Sequence, residues 1–266
     1  MSFRSPAPAV QSPPRLTVEH VSKRFRGLAA LDDVSLTIAP DEIVGLIGPN
    51  GSGKTTLLNV ISGVLPPTDG TVRVDGEVVS TLPPFRVARH GVGRTFQQIR
   101  LFPELTVAEN VEFGAVARGR RQVGAMLSHI VEVLELSDES DLPAGTLSYG
   151  HQRRVEIARA LAGAPTVLLL DEPAAGMNEE ESDHLLRLIQ TLHAELSCAV
   201  LIVEHDLHLM MRLCHRLYVL AGGRVISEGS PAHVTADPAV IDAYVGRRRS
   251  QGSLARAGSA STERCV

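Results

Sequence analysis

Two hydrophobic rhythms run along the chain. Near its start, "LTVEH" and "VSLTI" alternate apolar and polar residues and predict half-buried strands. "EIVGLIG" is almost continuously apolar and predicts a buried strand, and "KTTLLNVIS" directly after it predicts a helix. "TVRVDGEVV" predicts a hairpin that turns at Asp75-Gly76. From about Pro83 to Leu142 the pattern is irregular and more helical, with a helical apolar face in "VGAMLSHIVEVLEL". Beyond it the rhythm is regular. A helix from Ser148 leads to strand "TVLLLDE", then to a helix with Leu185, Ile189, Leu192 and Leu196 on one face. Strand "AVLIVEH", helix "DLHLMMRLC" and strand "RLYVLAGG" follow.

Strand–helix alternation with continuous apolar strands predicts an α/β fold around a mostly parallel, covered sheet. The early strands form an antiparallel β subdomain beside it, and about 83–160 forms a helical sub-lobe. Segments 1–14 (Ser/Pro/Ala-rich) and 247–266 (poor in apolar residues) predict disordered tails around one folded unit, 15–246. The tail cluster Arg247 to Arg249 reads as a solvated charge run, with contact to anionic lipid as the alternative.

Composition narrows the function. The 266 residues are 44% hydrophobic, enough for a large core. A formal net charge of -4 argues against a nucleic-acid binder. Cys198, Cys214 and Cys265 are irregularly spaced, which suits a reducing compartment rather than a disulfide framework. The first residues have no apolar core of a signal peptide, and the apolar runs are strand-sized, too short to span a bilayer. Nearly every basic residue is Arg; Lys23 and Lys54 are the only lysines. A lysine kept in such a chain hints at a task for a compact ammonium.

Lys54 lies in "GPNGSGKTT", Gly48-Pro49-Asn50-Gly51-Ser52-Gly53-Lys54-Thr55-Thr56, between a predicted strand and a predicted helix. This is the phosphate-binding pattern G-x-x-x-x-G-K-[ST] in its required context. The glycines let successive N–H groups converge on phosphate oxygens, and the helix start adds its positive end. Lys54 can sit between the β- and γ-phosphates, and Thr55 can offer a hydroxyl to Mg²⁺. Asp171 ends an apolar strand, where a parallel sheet places ligand groups, and can hold Mg²⁺ through water. Its neighbour Glu172 can polarise an attacking water.

No guanine-reading N-K-x-D element is present, which argues against a GTPase. "TLSYGHQRRVEIARAL" then carries a second unusual helix start. Ser148 is a good N-cap, Gly150 weakens the first turn, and His151 stands where Gln or Glu would complete a capping box. A small-molecule kinase has no use for it. With one P-loop and two phosphate-binding helix starts, the simplest use is a composite site: Ser148 and Gly150 cap the nucleotide held by a partner subunit.

At these residues the chain, from about Leu16 to Gly246, resembles the ATP-binding subunits of ABC transporters. "LSYGH" stands at that family's signature, usually Leu-Ser-Gly-Gly-Gln. "LSYGxQRRxEIARAL", "RTFQ…RLFPELTVAENV", "DEPAAGMN" and "DPAVIDAYVG" resemble the branched-chain amino-acid uptake branch. The resemblance implies that Phe25 stacks on adenine, and that Gln97 senses Mg²⁺ and water and links to the membrane domain. It implies that Ala175 to Asn178 cross a dimer interface, where Asn178 replaces a frequent Asp, and that His205 contacts the γ-phosphate. His151 leaves the contacts of Ser148 and Gly150 available but weakens any ribose contact. His205, His208, Cys214 and His215 match no common structural zinc spacing.

The expected protein is therefore an ATP- and Mg²⁺-dependent ATPase, peripheral on the cytoplasmic face of a bacterial-type inner membrane. Its expected partners are membrane permease subunits, a second ABC ATPase subunit and, indirectly, an external solute-binding protein, with no nucleic acid. Two alternatives stay open: the ATPase of a lipid or lipopolysaccharide exporter, and a soluble ABC ATPase that serves as an assembly factor.

Overall fold

Ile43–Ile47 (β3), Val167–Asp171 (β7) and Ala199–Val203 (β8) are buried at every position. Their side chains alternate between two cores, as a pleat requires. Ile43, Ile47, Leu168, Leu170, Val200 and Ile202 enter one; Val44, Leu46, Val167, Leu169, Leu201 and Val203 enter the other. A sheet covered on both faces explains why these strands read as unbroken apolar runs.

The computed structural model describes residues 13–117 and 124–244. Both expected tails fall outside those residues apart from Pro13 and Pro14, as do Arg247 to Arg249 and Cys265. The main sheet has six strands in the order β10-β9-β3-β8-β7-β6, where β6 is Val92–Arg94, β9 is Arg216–Ala221 and β10 is Arg224–Gly229. All its pairings are parallel except that of β9 with β10. A second sheet is antiparallel, in the order β2-β1-β4-β5. Its strands are Leu16–Phe25 (β1), Leu28–Ile38 (β2), Asp69–Val74 (β4) and Glu77–Val78 (β5). The β4–β5 turn has positive φ at both Asp75 and Gly76, the type I′ geometry that suits a two-residue hairpin.

The helices are Lys54–Ile61 (α1), Pro84–Arg89 (α2), Val107–Ala117 (α3), Gly124–Val133 (α4), Tyr149–Ala162 (α5), Glu179–Leu196 (α6), Leu207–Leu213 (α7) and Pro231–Ala236 (α8). Val111 and Ala115 of α3, Ile130 of α4 and Val155 and Ile157 of α5 share the core that covers one face of the main sheet. The interval 83–160 is not wholly helical: β6 lies inside it and forms the edge of the main sheet. Three residues are too few to show an alternating pattern. On α6, Leu185, Ile189 and Leu192 are buried along one stripe, and Asn178 and Glu181 close a reciprocal capping box at its start.

Parallel pairing gathers the carboxyl ends of β3, β6, β7 and β8 at one edge. There β3 runs into Gly48, β6 toward Gln97, β7 into Glu172 and β8 into Glu204 and His205. Open α/β sheets bind ligands in this place.

Candidate functional site

The turn after β3 can only be built from glycine at two points. Gly48 has φ 150°, and a Cβ there would lie 2.1 Å from the Leu220 carbonyl oxygen. Gly53 has φ 111°, and its Cβ would lie 2.6 Å from the Ala30 carbonyl oxygen. Lys54 is 6% exposed, and its Nζ donates to the carbonyls of Gly48 at 2.7 Å and Pro49 at 3.2 Å. The ammonium is thus folded across the loop. Ser52 is buried, with no hydrogen-bond partner for its hydroxyl.

A cleft of about 350 Å³ opens in front of this loop. Asn50, Gly51, Gly53, Lys54, Thr55 and Thr56 line one side, and Ala30, Gln97, Glu172 and His205 complete the wall. The cleft therefore brings together groups from five separate parts of the chain. Gly48, Pro49 and Ser52 belong to the loop but are not among the lining residues, nor is Phe25, which is exposed at the end of β1 with Lys23 Nζ 5.3 Å from its ring centroid. Ser148 and Gly150 do not line this cleft either.

Glu172 is gripped from both sides. Its Oε1 lies 2.6 Å from His205 Nε2, and its Oε2 accepts from Gln97 Nε2 at 2.8 Å. The backbone of Glu172 is left-handed, with φ 49°, and its N–H donates to the Val203 carbonyl at 2.9 Å. A non-glycine residue in that conformation costs about 1–3 kcal/mol and needs surroundings that hold it. Asp171, one residue earlier, is 2% exposed. Its Oδ2 meets Arg94 Nη2 at 3.3 Å, while its Oδ1 is buried with no hydrogen-bond partner. Burial pushes the Asp171 carboxyl above its ordinary range, and the Arg94 charge opposes this.

Two groups here escaped the sequence reading. Arg94 also donates to Asn59 Oδ1 at 2.8 Å and Ser62 Oγ at 2.6 Å, so it joins α1, β6 and the end of β7. Glu204 is buried, and its carboxylate accepts from Ala174 N at 2.8 Å and from His205 N at 3.2 Å. Burial raises its pKa, so its backbone partners hold a carboxyl that the interior disfavours as an anion. "RTFQ" and "VEHD" contain both residues, but their partners lie far along the chain.

The second helix start has the expected cap. Ser148 Oγ accepts from His151 N at 3.3 Å. The His151 ring turns to Glu139, with Nδ1 3.0 Å from Oε1, instead of closing a capping box. A Cβ on Gly150 would have only Met177 Cε within reach, at 4.0 Å, so the first turn is open on that side. Asn178 uses its side chain to cap α6, accepting from Glu181 N at 2.9 Å.

The residues present fit a bound nucleotide. The cradle exists only because two positions lack a Cβ, a lysine crosses its mouth, and the Asp171 carboxylate, one residue before Glu172 of the cleft wall, has a buried oxygen with no protein donor. The fold and this cleft define a P-loop ATPase. A family model described as ABC transporter matches residues 31–175, and one described as branched-chain amino acid ATP-binding cassette transporter matches residues 224–249. The chain is 40% identical over 252 residues to the high-affinity branched-chain amino acid transport ATP-binding protein BraF of Pseudomonas aeruginosa, which covers 88% of this chain and 99% of that protein. It is 36% identical over 238 residues to the lipopolysaccharide export system ATP-binding protein LptB of Haemophilus influenzae, covering 88% and 98%. The ADP conformation of MJ1267, an ATP-binding cassette of an ABC transporter, superposes with a TM-score of 0.79 at 32% identity, over 88% of this chain and all of that one. The chain belongs to the ABC transporter family, among its ATP-hydrolysing subunits.

Proposed function

We propose that this subunit drives a membrane importer for branched-chain amino acids, and that Glu172 is the base that activates water for ATP hydrolysis. The observation that carries the catalytic assignment is the Glu172 carboxylate held between His205 and Gln97, on the cleft wall that also carries Lys54. Lys54 binds the β- and γ-phosphates. The N–H groups of the Gly48–Thr56 loop surround the same oxygens, and the start of α1 adds its positive end. Thr55, Asp171 and Gln97 would hold Mg²⁺, which when bound neutralises phosphate charge. Glu172 orients the water and takes its proton, and His205 contacts the γ-phosphate. Positioning and charge neutralisation supply most of the acceleration. Phe25 stacks on the adenine.

Ser148 and Gly150 serve the nucleotide of a second ABC ATPase subunit; their separation from the cleft supports this division. ATP then closes two subunits face to face, and hydrolysis reopens them. Permease subunits receive that motion through Gln97 and the loop Phe102 to Leu105. An external solute-binding protein delivers the cargo, and no nucleic acid takes part. The subunit works at the cytoplasmic face of a bacterial-type inner membrane; among the described residues, no helix is long and apolar enough to cross a bilayer. The higher identity to a branched-chain amino acid subunit than to a lipopolysaccharide export subunit supports the cargo assignment. The test is ATPase stimulation in proteoliposomes with the permease subunits, across a cargo panel. Stimulation by Leu, Ile and Val supports the reading; stimulation by lipopolysaccharide alone overturns it.

A further inference from the structure

Phe96 to Arg100 form an irregular loop, so their backbone groups find no partners in a helix or sheet ladder. Helix α5 supplies the partners. Arg153 is wholly buried and donates through Nη1 to the Phe96 carbonyl at 2.6 Å and through Nη2 to the Gln97 carbonyl at 2.8 Å. Glu156, one turn further and also buried, accepts from the N–H groups of Phe96 at 3.4 Å and Arg100 at 3.3 Å. The two side chains join at 2.8 Å, Arg153 Nη1 to Glu156 Oε2. Tyr149, in the first turn of α5, accepts at its hydroxyl oxygen from Arg153 Nη2 at 3.1 Å and lays its ring against Gly176.

A buried ion pair is weak evidence of stability, because desolvation offsets much of the attraction. This one has another result: it ties carbonyls and amides of the loop to one helix face. The Gln97 side chain leaves that loop to reach Glu172. We propose that Arg153 and Glu156 are a positioning pair which fixes the loop Phe96–Arg100 to α5, and so sets Gln97 against Glu172. The helix that begins at Ser148 thereby moves as one body with the Gln97 loop. The inference rests on the reading that Glu172, held between His205 and Gln97, is the base for hydrolysis.

The test uses the full chain carrying Arg153→Met together with Glu156→Leu, which removes both charges at similar volume and leaves no buried charge unpaired. Cooperative unfolding with a Tm near the parent's is expected. Amide exchange at Phe96 and Arg100 speeds up by about tenfold or more. The kcat for Mg-ATP falls by about 10- to 100-fold, as misplacement of a catalytic group does, while KM stays within about twofold. Adding Gln97→Ala to the pair lowers kcat no further than Gln97→Ala alone, because both act through one contact. Glu156→Gln, which keeps the shape and an acceptor, gives the same order of effects at smaller size and serves if the double variant fails to fold. Parental exchange and kcat overturn the proposal, as does a multiplicative loss in the combined variant. A kcat that falls in the pair variant but not in Gln97→Ala overturns the role of Gln97, and the proposed route with it.

Discussion

His205 Nε2 stands 2.6 Å from Glu172 Oε1, although the two residues come from the ends of different strands, β8 and β7. Those strands are parallel neighbours, with Asp171 opposite Val203. The contact is therefore a consequence of sheet order. It gives the carboxylate a polar partner that also lines the cleft.

Glu172→Gln keeps the shape and the contacts but loses the proton acceptor. ATP binding is expected to persist while hydrolysis falls by about 10²–10⁴. The stalled protein should run as an ATP-dependent dimer on a sizing column. Parental turnover would move the role of base to another group, with His205 the next candidate.

Lys54→Ala removes the charge between the phosphates, and Mg-ATP affinity should fall. Lys54→Arg should not restore it, because a planar fork does not match a compact ammonium in that loop. Titration calorimetry of both variants decides this; parental affinity in either would contradict the cradle.

Arg94→Met leaves the Asp171 carboxylate buried without its cation. Removing one partner of a buried pair costs about 3–5 kcal/mol, and Arg94 and Asp171 are 6% and 2% exposed. Urea denaturation should show a loss of that order, and a change below about 0.5 kcal/mol would show that the pair is not coupled.

Asn178→Ala should destabilise the protein by about 0.5–2 kcal/mol through loss of the α6 cap. Asn178→Asp should cost less, since Asp also caps. It should bring little gain, because Glu179, Glu180 and Glu181 already load that first turn with negative charge. Thermal unfolding of the two variants gives the comparison; equal losses would remove capping as the role of Asn178.

The sequence made visible what depends on local spacing. The cradle from Gly48 to Thr56, the apolar strand ending in Asp171 and the Ser148 cap each involve residues a few positions apart. What depends on long-range pairing was not visible. Arg94 meets Asp171 from 77 positions away, and Arg153 holds the Phe96 carbonyl from 57. Strand β6 is three residues long, and α2 is six, too short to carry a period. His151 could be read as a missing capping-box partner, but its pairing with Glu139 needed the packing of the sub-lobe.

The central claim is that Ser148 serves the nucleotide of the partner subunit, while Glu172 serves its own. A mixed dimer of one Glu172→Gln chain and one Ser148→Ala chain, separately tagged and purified, tests it directly. One composite site then carries both changes and the other carries neither. A dimer of parental and Glu172→Gln chains sets the activity of one intact site. The account predicts that the mixed dimer hydrolyses ATP at the rate of that control. If the control is active and the mixed dimer falls to the average of its two parents, each site holds one defect, and Ser148 acts on the nucleotide of its own chain.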